Sequence, residues 1–545
     1  MHRRDFLKAS ALVSVASLPT VSSADEPKPS SSNLPQAGAL DGHCPREYPG
    51  ERGMKTMLFW DYWKLHELNN AELVQGEPKW RPEATYVDPH TGSHGGGRVF
   101  FDKSLGKWRK IWAADEAFVA ESEDGIKWAP AKLPNVKPNH GSKLASHHVH
   151  TFPGEGHNFG WVYLDPIAAD GYPYKIPVIQ NGQRVYERAK ADTKHRWHDL
   201  TQRFPKPTNH MYDHFMHVSK DGYHWEERTD YEWNQGWFFP EEPHFMFHNH
   251  LTGTHSLICR PGLGDRRVAL TETTDFVNWT EPRIVLQPEL ADGKLLEFYT
   301  MPTFPYGQYF VGMVWASHFS NADGPDHFVL HKGAQNPQLA MSTDGRYFVR
   351  PTREAFIDFN EPGEVGCHSI RPEGMVVLDD EIRIYSNAGV SAHGTPVPKE
   401  LKPKNKAMVL HSLRRDGFMY FQPQGHWAQI TTRPFAVFDG EFTMNAEAPT
   451  GMVEFEVRDL KNQPIEGYTF ADCEPMKYQD TLRHQLRWKN RANFGELIGK
   501  VIRLSVRFYN ARIYSFRADY HVLDAHDFRR LRDELPLIST QHFGA

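Results

Sequence analysis

Imidazole, guanidinium and carboxyl groups recur in this chain in short clusters. SHHVH carries His147, His148 and His150, CRPGLGDRR carries Arg260, Arg266 and Arg267, and CHSIRPEG carries His368, Arg371 and Glu373. LEFYTMP supplies Glu297 and Tyr299, and WFFPEEPHF supplies Trp237, Glu241 and Glu242. PHTGSHGGG adds His94, MLFWDYW adds Asp61, and His318 lies in WASHFS. Cleavage of a glycosidic bond needs one carboxylic acid to protonate the leaving oxygen and a second carboxylate as nucleophile or base across the sugar. Glu242 and Glu297 are the expected pair, with Asp61 as a third candidate. Arginine forks onto carboxylate or sulfate, so Arg260, Arg266 and Arg371, with His94, His318 and Glu373, suit an anionic sugar stacked on Tyr299 or Trp237. The same residues permit a lyase or dehydratase, in which His147 or His148 abstracts a proton beside a uronate neutralised by Arg371. Glycan binding without catalysis is the third reading.

The histidines raise a metal as well. HFMFHNH sets His244, His248 and His250 on one side of an extended strand, yet no spacing matches a ligand motif. No cofactor and no metal ligand are therefore expected, a divalent ion being the alternative reading.

These clusters need a scaffold, and a repeat supplies it. SEDGIKW (Ser122 to Trp128), SKDGYHW (Ser219 to Trp225), TTDFVNW (Thr273 to Trp279), STDGRYF (Ser342 to Phe348) and LRRDGFMYF (Leu413 to Phe421) are five variants of one turn. Each follows alternating apolar segments, such as RVFFDKSLGKWRKIW and GMVVLDDEIRIYS, that read as hairpins. Two features repeating in the same order predict an all-β chain built on a five-bladed β-propeller over residues 55–423. Asp102 and Asp165 fall in hairpin turns, where Asp caps its own backbone, and so are read as structural. Asp88 of YVDP stays open between the two roles. The starts of the inner strands and the loops between second and third strands share the opposite face, where the His, Arg and Glu clusters gather. Short alternating strands after residue 423 predict a C-terminal β-sandwich over 424–520. AHDFRRLRDEL is a helix within a C-terminal tail, 521–545.

MLFWDYWKLHELNN, EFYTMPTFPYGQYFVGMVW, PQLAMSTDGRYFVRP and the ITTRPF to RIYSF run resemble secreted bacterial proteins of the family 32-like type, glycoside hydrolases with a five-bladed propeller and a C-terminal sandwich. The resemblance implies that architecture. The family's Trp-Met-Asn-Asp-Pro-Asn-Gly, Arg-Asp-Pro and Glu-Cys motifs are missing, so neither fructan specificity nor any catalytic residue is carried over.

Composition narrows the partners. With 545 residues, 39% hydrophobic content and a net charge of −6, the chain can bury large cores and has no basic surplus for nucleic acid. Aromatics at 13% suit sugar stacking and sheet packing alike. MHRRDFLKAS, a short apolar run and Ala24 resemble a twin-arginine export signal over residues 1–24, followed by a linker over 25–54. A periplasmic or secreted protein with no integral membrane segment in the mature chain and a carbohydrate substrate is expected. Four scattered cysteines argue against a disulfide framework.

Overall fold

The computed structural model describes residues 53–89, 97–113, 116–132, 148–151, 157–181, 183–195, 197–207, 212–228, 241–261, 266–293, 295–321, 332–533 and 535. The expected signal, nearly all of the linker, Cys44, His94, His147 and Trp237 lie outside them. The chain forms a five-bladed β-propeller and a β-sandwich, and the strand pairing gives the radial order in each blade. Blade 1 runs outward through Arg98–Asp102, Lys107–Ala113, Glu116–Ser122 and Ala129–Pro130. Blade 2 has His157–Phe159 and Tyr163–Leu164 innermost, then Tyr174–Asn181, Tyr212–Ser219 and Trp225–Arg228. Blade 3 is Glu241–Asn249, Thr254–Arg260, Val268–Thr273 and Arg283–Leu286. Blade 4 sets Leu296–Phe298 and Thr303–Tyr306 inside Tyr309–Asn321 and Lys332–Ser342, with Val349 bridging Met341 at its rim.

Blade 5 departs from the sequence expectation. Its strands Ser369–Val377, Glu381–Gly389 and Ala407–Arg414 are completed by Lys79–Tyr86, which precedes blade 1 in the chain. LRRDGFMYF does not supply the outer strand. Met419–Pro423 leaves the ring to pair with Ala71–Gln75 and Arg512–Val522 in the sandwich. Borrowing an early strand joins the chain's first and last blades by backbone hydrogen bonds, which a closed ring requires.

The four other turns share one hydrogen-bond pattern. The hydroxyls of Ser122, Ser219, Thr273 and Ser342 accept the backbone N–H three residues on, at 2.8–2.9 Å. The carboxylates of Asp124, Asp221, Asp275 and Asp344 accept the N–H groups two and three residues on, at 2.7–2.9 Å. In three turns the Trp indole closes on the turn carbonyl, at 3.1–3.2 Å. Asp416, in the fifth variant, instead accepts from the hydroxyls of Tyr306 and Ser515, tying ring to sandwich.

Each turn also receives its neighbour. Arg109 of blade 1 donates to Asp221 O at 3.0 Å, and Lys175 of blade 2 lies 4.6 Å from the Phe276 ring. Asn249 of blade 3 donates to Asp344 O at 2.8 Å, Tyr306 of blade 4 reaches Asp416, and Tyr385 of blade 5 donates to Gly125 O at 2.8 Å. Five contacts close the circle, so the repeat is the joint between blades. Asp102 and Asp165 take the structural role expected of them, paired in the interior with Arg109 at 2.9 Å and Lys175 at 2.8 Å.

The sandwich sheet follows the order Leu65–Asn69, Ala428–Thr432, Val501–Tyr509, Phe435–Arg458, Arg512–Val522, Met419–Pro423 and Ala71–Gln75. Lys55–Leu58 and Met476–Gln485 pair alongside. Residues 55–75 therefore belong to this sheet, and the propeller begins at Lys79, not at 55. Phe59, Phe421, Phe455, Trp488, Phe508 and Phe516 fill its core. The helix Ala525–Arg532, capped by Asp524, packs Leu531 against this domain beside Phe438 and Leu523.

Two helices inserted in blade 2, Gln183–Ala191 and His198–Arg203, are absent from the sequence reading. Val185, Tyr186, Trp197 and Leu200 form a small core of their own, and Arg188 and His195 pair with buried Asp213 at 3.2 and 3.1 Å. Cys259, Cys367 and Cys473 are free thiols, and no described helix is long and apolar enough to cross a membrane.

Candidate active site

The inner strands begin at one end of the ring, and one residue from each blade meets there. Trp161 of blade 2 stacks on Phe245 of blade 3 at 4.1 Å, and both meet Trp315 of blade 4 edge-on at 5.7 and 5.5 Å. The Trp315 indole donates to Pro372 O of blade 5 at 3.0 Å. Gly97 of blade 1 donates its N–H to the carboxylate of Glu373. Gly97 has φ +127°, and a Cβ there would sit 2.6 Å from Trp112 Cβ. Only glycine fits this backbone against Trp112 and Ile111, and there its N–H faces Glu373.

Glu373 is 1% exposed. Burial pushes its carboxyl well above the usual carboxylate range, against the opposing pull of the Trp161 indole, Arg371, the Gly97 N–H and Lys110. Burial likewise pulls the Lys110 ammonium down, while Glu373 and Asp88 oppose it. Asp88 is fully buried and accepts from Tyr86 Oη at 3.0 Å. Burial such as that of Glu373 favours the protonated carboxyl, the form a general acid needs.

Beside Glu373 lies a second group. Arg260 and Arg266 approach the Tyr299 ring at 5.1 and 5.5 Å, and Arg266 pairs with Glu297 at 2.7 Å. Tyr299 stacks toward Trp315 at 6.3 Å, and Arg371 lies 5.6 Å from the Trp315 ring. The structure thus gathers Arg260, Arg266, Glu297, Tyr299, Arg371 and Glu373. His318 stands on the same strand, its Nε2 2.9 Å from Asn336 Oδ1.

An open cavity of about 410 Å³ adjoins them, lined by Gln335, Ser369, Arg371 and Asn387 and by His393, Thr395, Asn405 and Lys406 of the loop that links blade 5's second and third strands. Gln335 Oε1, Ser369 Oγ, Arg371 Nε, Asn387 Oδ1 and Glu373 Oε1 are buried without a hydrogen-bond partner. Buried polar atoms are ordinarily satisfied, so an unpaired set at one mouth points to a polar ligand.

Other expected residues lie elsewhere or are fixed only in backbone. Asp61 is exposed, accepts from Trp63 N at 2.9 Å, and lines a cavity between blade 4 and the sandwich. It sits at the far end of the strands and takes no part in the mouth. Glu242 lies at the start of blade 3's inner strand, in a bulge between Glu241 and Phe245, and His148 lies in His148–Thr151, paired with blade 1. Among the described residues no group of three or more His, Cys, Asp or Glu could hold a metal ion. His244 packs against His214 at 6.0 Å, His248 against His255 at 5.5 Å, and His250 on Phe310 at 5.2 Å.

Lys110, Trp161, Trp315 and Asn387 are absent from the sequence inventory. Lys110 had a signal: in KWRKIW it shares the face of Trp108 and Trp112, an apolar setting for a lysine.

No family model matches the sequence, and no curated protein matches it, so the family 32-like reading rests on the quoted stretches alone. Among solved structures, a thermostable family-43 glycoside hydrolase aligns over 65% of this chain and 94% of its own, at 10% identity and a TM-score of 0.36. An exo-β-1,3-galactanase from Phanerochaete chrysosporium aligns over 83% and 100%, at 9% identity and a TM-score of 0.33. An N-acetylgalactosamine deacetylase from F. plautii aligns over 67% and 94%, at 10% identity and a TM-score of 0.35.

Proposed function

We propose that this protein is an exported glycoside hydrolase acting at the mouth of the propeller, with Glu373 as the proton donor. The observation that carries the reading is a cavity walled by Gln335, Ser369, Arg371 and Asn387, each with a buried polar atom that lacks a hydrogen-bond partner, with the buried carboxyl of Glu373 two residues along the strand from Arg371. A sugar offers hydroxyls in several directions and satisfies such a floor, whereas an apolar ligand would leave each atom unpaired at a cost of about 1–3 kcal/mol. The cavity, about 410 Å³, falls within the roughly 300–1,000 Å³ of small-molecule sites. Glu373 would protonate the departing glycosidic oxygen while a second carboxylate stabilises or attacks the anomeric carbon. Glu297 is held by Arg266, and Glu242, at the start of blade 3's inner strand, is taken as the second carboxylate. Arg371 and Lys406 on the cavity wall favour a sugar bearing carboxylate or sulfate.

The test is a screen of the full chain on neutral, uronate-containing and sulfated polysaccharides, scored by new reducing ends. Release from an acidic polymer, with KM raised by Arg371→Met, supports the reading. An unsaturated uronate product would replace it with a lyase, and binding without product would replace it with a glycan-binding protein.

A further inference from the structure

A second cavity, of about 460 Å³, opens where blade 4 meets the sandwich. Its floor is Trp60, Lys64, Tyr309 and Tyr520, all buried, and its rim carries Trp63 and Tyr347, which are 46% and 72% exposed. Arg433 lies over the Trp63 ring at 4.7 Å. Rim aromatics this exposed, gathered around one cleft, mark a binding surface more than a packing defect.

Lys64 is the unusual group. Its Nζ stands 4.0 Å from the centre of the Trp60 ring and 5.5 Å from that of Tyr309. Among the described residues no carboxylate lies within ion-pair distance of it. Burial pulls the ammonium down to about 8, against the partial support of Asp61, so the site holds a cation in a place that disfavours one. Of the other charged groups that line the cleft, Lys55 lies 5.8 Å from the Tyr520 ring, His521 meets Asp527 at 2.8 Å, Asp344 caps its own turn, and Asp61 accepts from Trp63 N.

We propose that this cleft is a second carbohydrate site, binding one acidic sugar residue of a glycan chain, with the rings of Trp63 and Tyr347 against the sugar and Lys64 against its carboxylate or sulfate. Aromatic faces accept a sugar ring, and an ammonium under them selects for charge. Strand Tyr309–Asn321 runs from this cleft toward the mouth. The nine steps from Tyr309 to His318, at about 3.3 Å each, separate the two sites by about 30 Å. A monosaccharide occupies one or the other, and only a polymer reaches both. The site would hold the chain while the mouth works on its end, but binding here does not depend on catalysis there.

Binding is therefore measured on Glu373→Gln protein, with polygalacturonate and dextran sulfate as probes and dextran as the neutral control, by affinity electrophoresis and titration calorimetry. The expected result is binding of the charged polymers, at least tenfold weaker in Trp63→Ala/Tyr347→Ala, with Lys64→Met abolishing the preference over dextran. The single variant Tyr347→Ala, at a largely exposed residue, gives part of the loss and guards against misfolding of the double variant. Charged polymers that bind equally to the double variant, or that bind neither protein, overturn the proposal. Binding removed by Arg371→Met but not by the cleft substitutions assigns it to the mouth and overturns it too.

Discussion

Arg109→Met is the sharpest perturbation of the ring. The Arg109 side chain is fully buried, pairs with Asp102 at 2.9 Å, and donates to Asp221 O at 3.0 Å across the joint between blades 1 and 2. Tyr223 stacks under the guanidinium at 4.2 Å. Methionine fills most of the volume and removes the charge, leaving Asp102 as a buried carboxylate held by Tyr174 at 2.6 Å and by Ser104 and Leu105. Breaking a buried pair from one side costs about 3–5 kcal/mol, because the surviving charge is uncompensated. The companion Asp102→Asn keeps the cap acceptor and loses the charge. The double variant should therefore recover roughly half or more of the loss, a coupling that double-mutant cycles measure directly. Equilibrium urea unfolding followed by tryptophan fluorescence reads both quantities. A single-variant loss under about 1 kcal/mol, or losses in the two variants that simply add, would refute the joint as described.

Three further outcomes follow from particular groups. Burial lowers His411 to about 4, from 6.5, so the unfolded chain binds the extra proton between those values. Stability is complete above pH 6.5 and falls as pH drops toward 4, by about 3 kcal/mol at 1.36 kcal/mol per unit, and His411→Leu should flatten that limb of an acid-unfolding series. Trp225 is 7% exposed and bonds to Gly222 O at 3.2 Å. Trp225→Ala should cost about 3–5 kcal/mol and Trp225→Phe only about 1, since Phe348 occupies the equivalent place in blade 4, readable as midpoints in urea. Gly97→Ala, with its Cβ 2.6 Å from Trp112 Cβ, should cost roughly 1–3 kcal/mol and lower turnover by disturbing the Gly97 bond to Glu373.

The blade turns were readable because they are local. A Ser or Thr hydroxyl, an Asp two residues on and a glycine or its left-handed substitute close within seven residues, whatever surrounds them. The fifth variant shows the limit, because Asp416-Gly417 makes a similar local sequence while the strand after it is taken by the sandwich, a choice set by Ala71–Gln75 far away in the chain. The blades served as a ruler that placed Arg371, Glu373, Glu297 and Tyr299 at the mouth. Asp61 escaped the ruler, since it precedes the first blade and its strand company is in the other domain. Lys110 and Trp161 went unseen because their meaning lies in contacts between blades. The helices of blade 2 were hidden by a Lys, Arg and His-rich sequence that buries only Val185, Tyr186 and a few partners.

Proton delivery by Glu373 at the mouth of the ring, as proposed, is tested most directly by leaving-group dependence. Turnover of a cleaved polysaccharide should be compared with that of an aryl glycoside whose leaving group needs no proton, in the native protein and in Glu373→Gln. If Glu373 is the acid, the variant loses about 10²–10⁴-fold on the polysaccharide, far less on the activated glycoside, and its rate no longer falls toward alkaline pH. Equal rates for native and variant protein on the polysaccharide would contradict it.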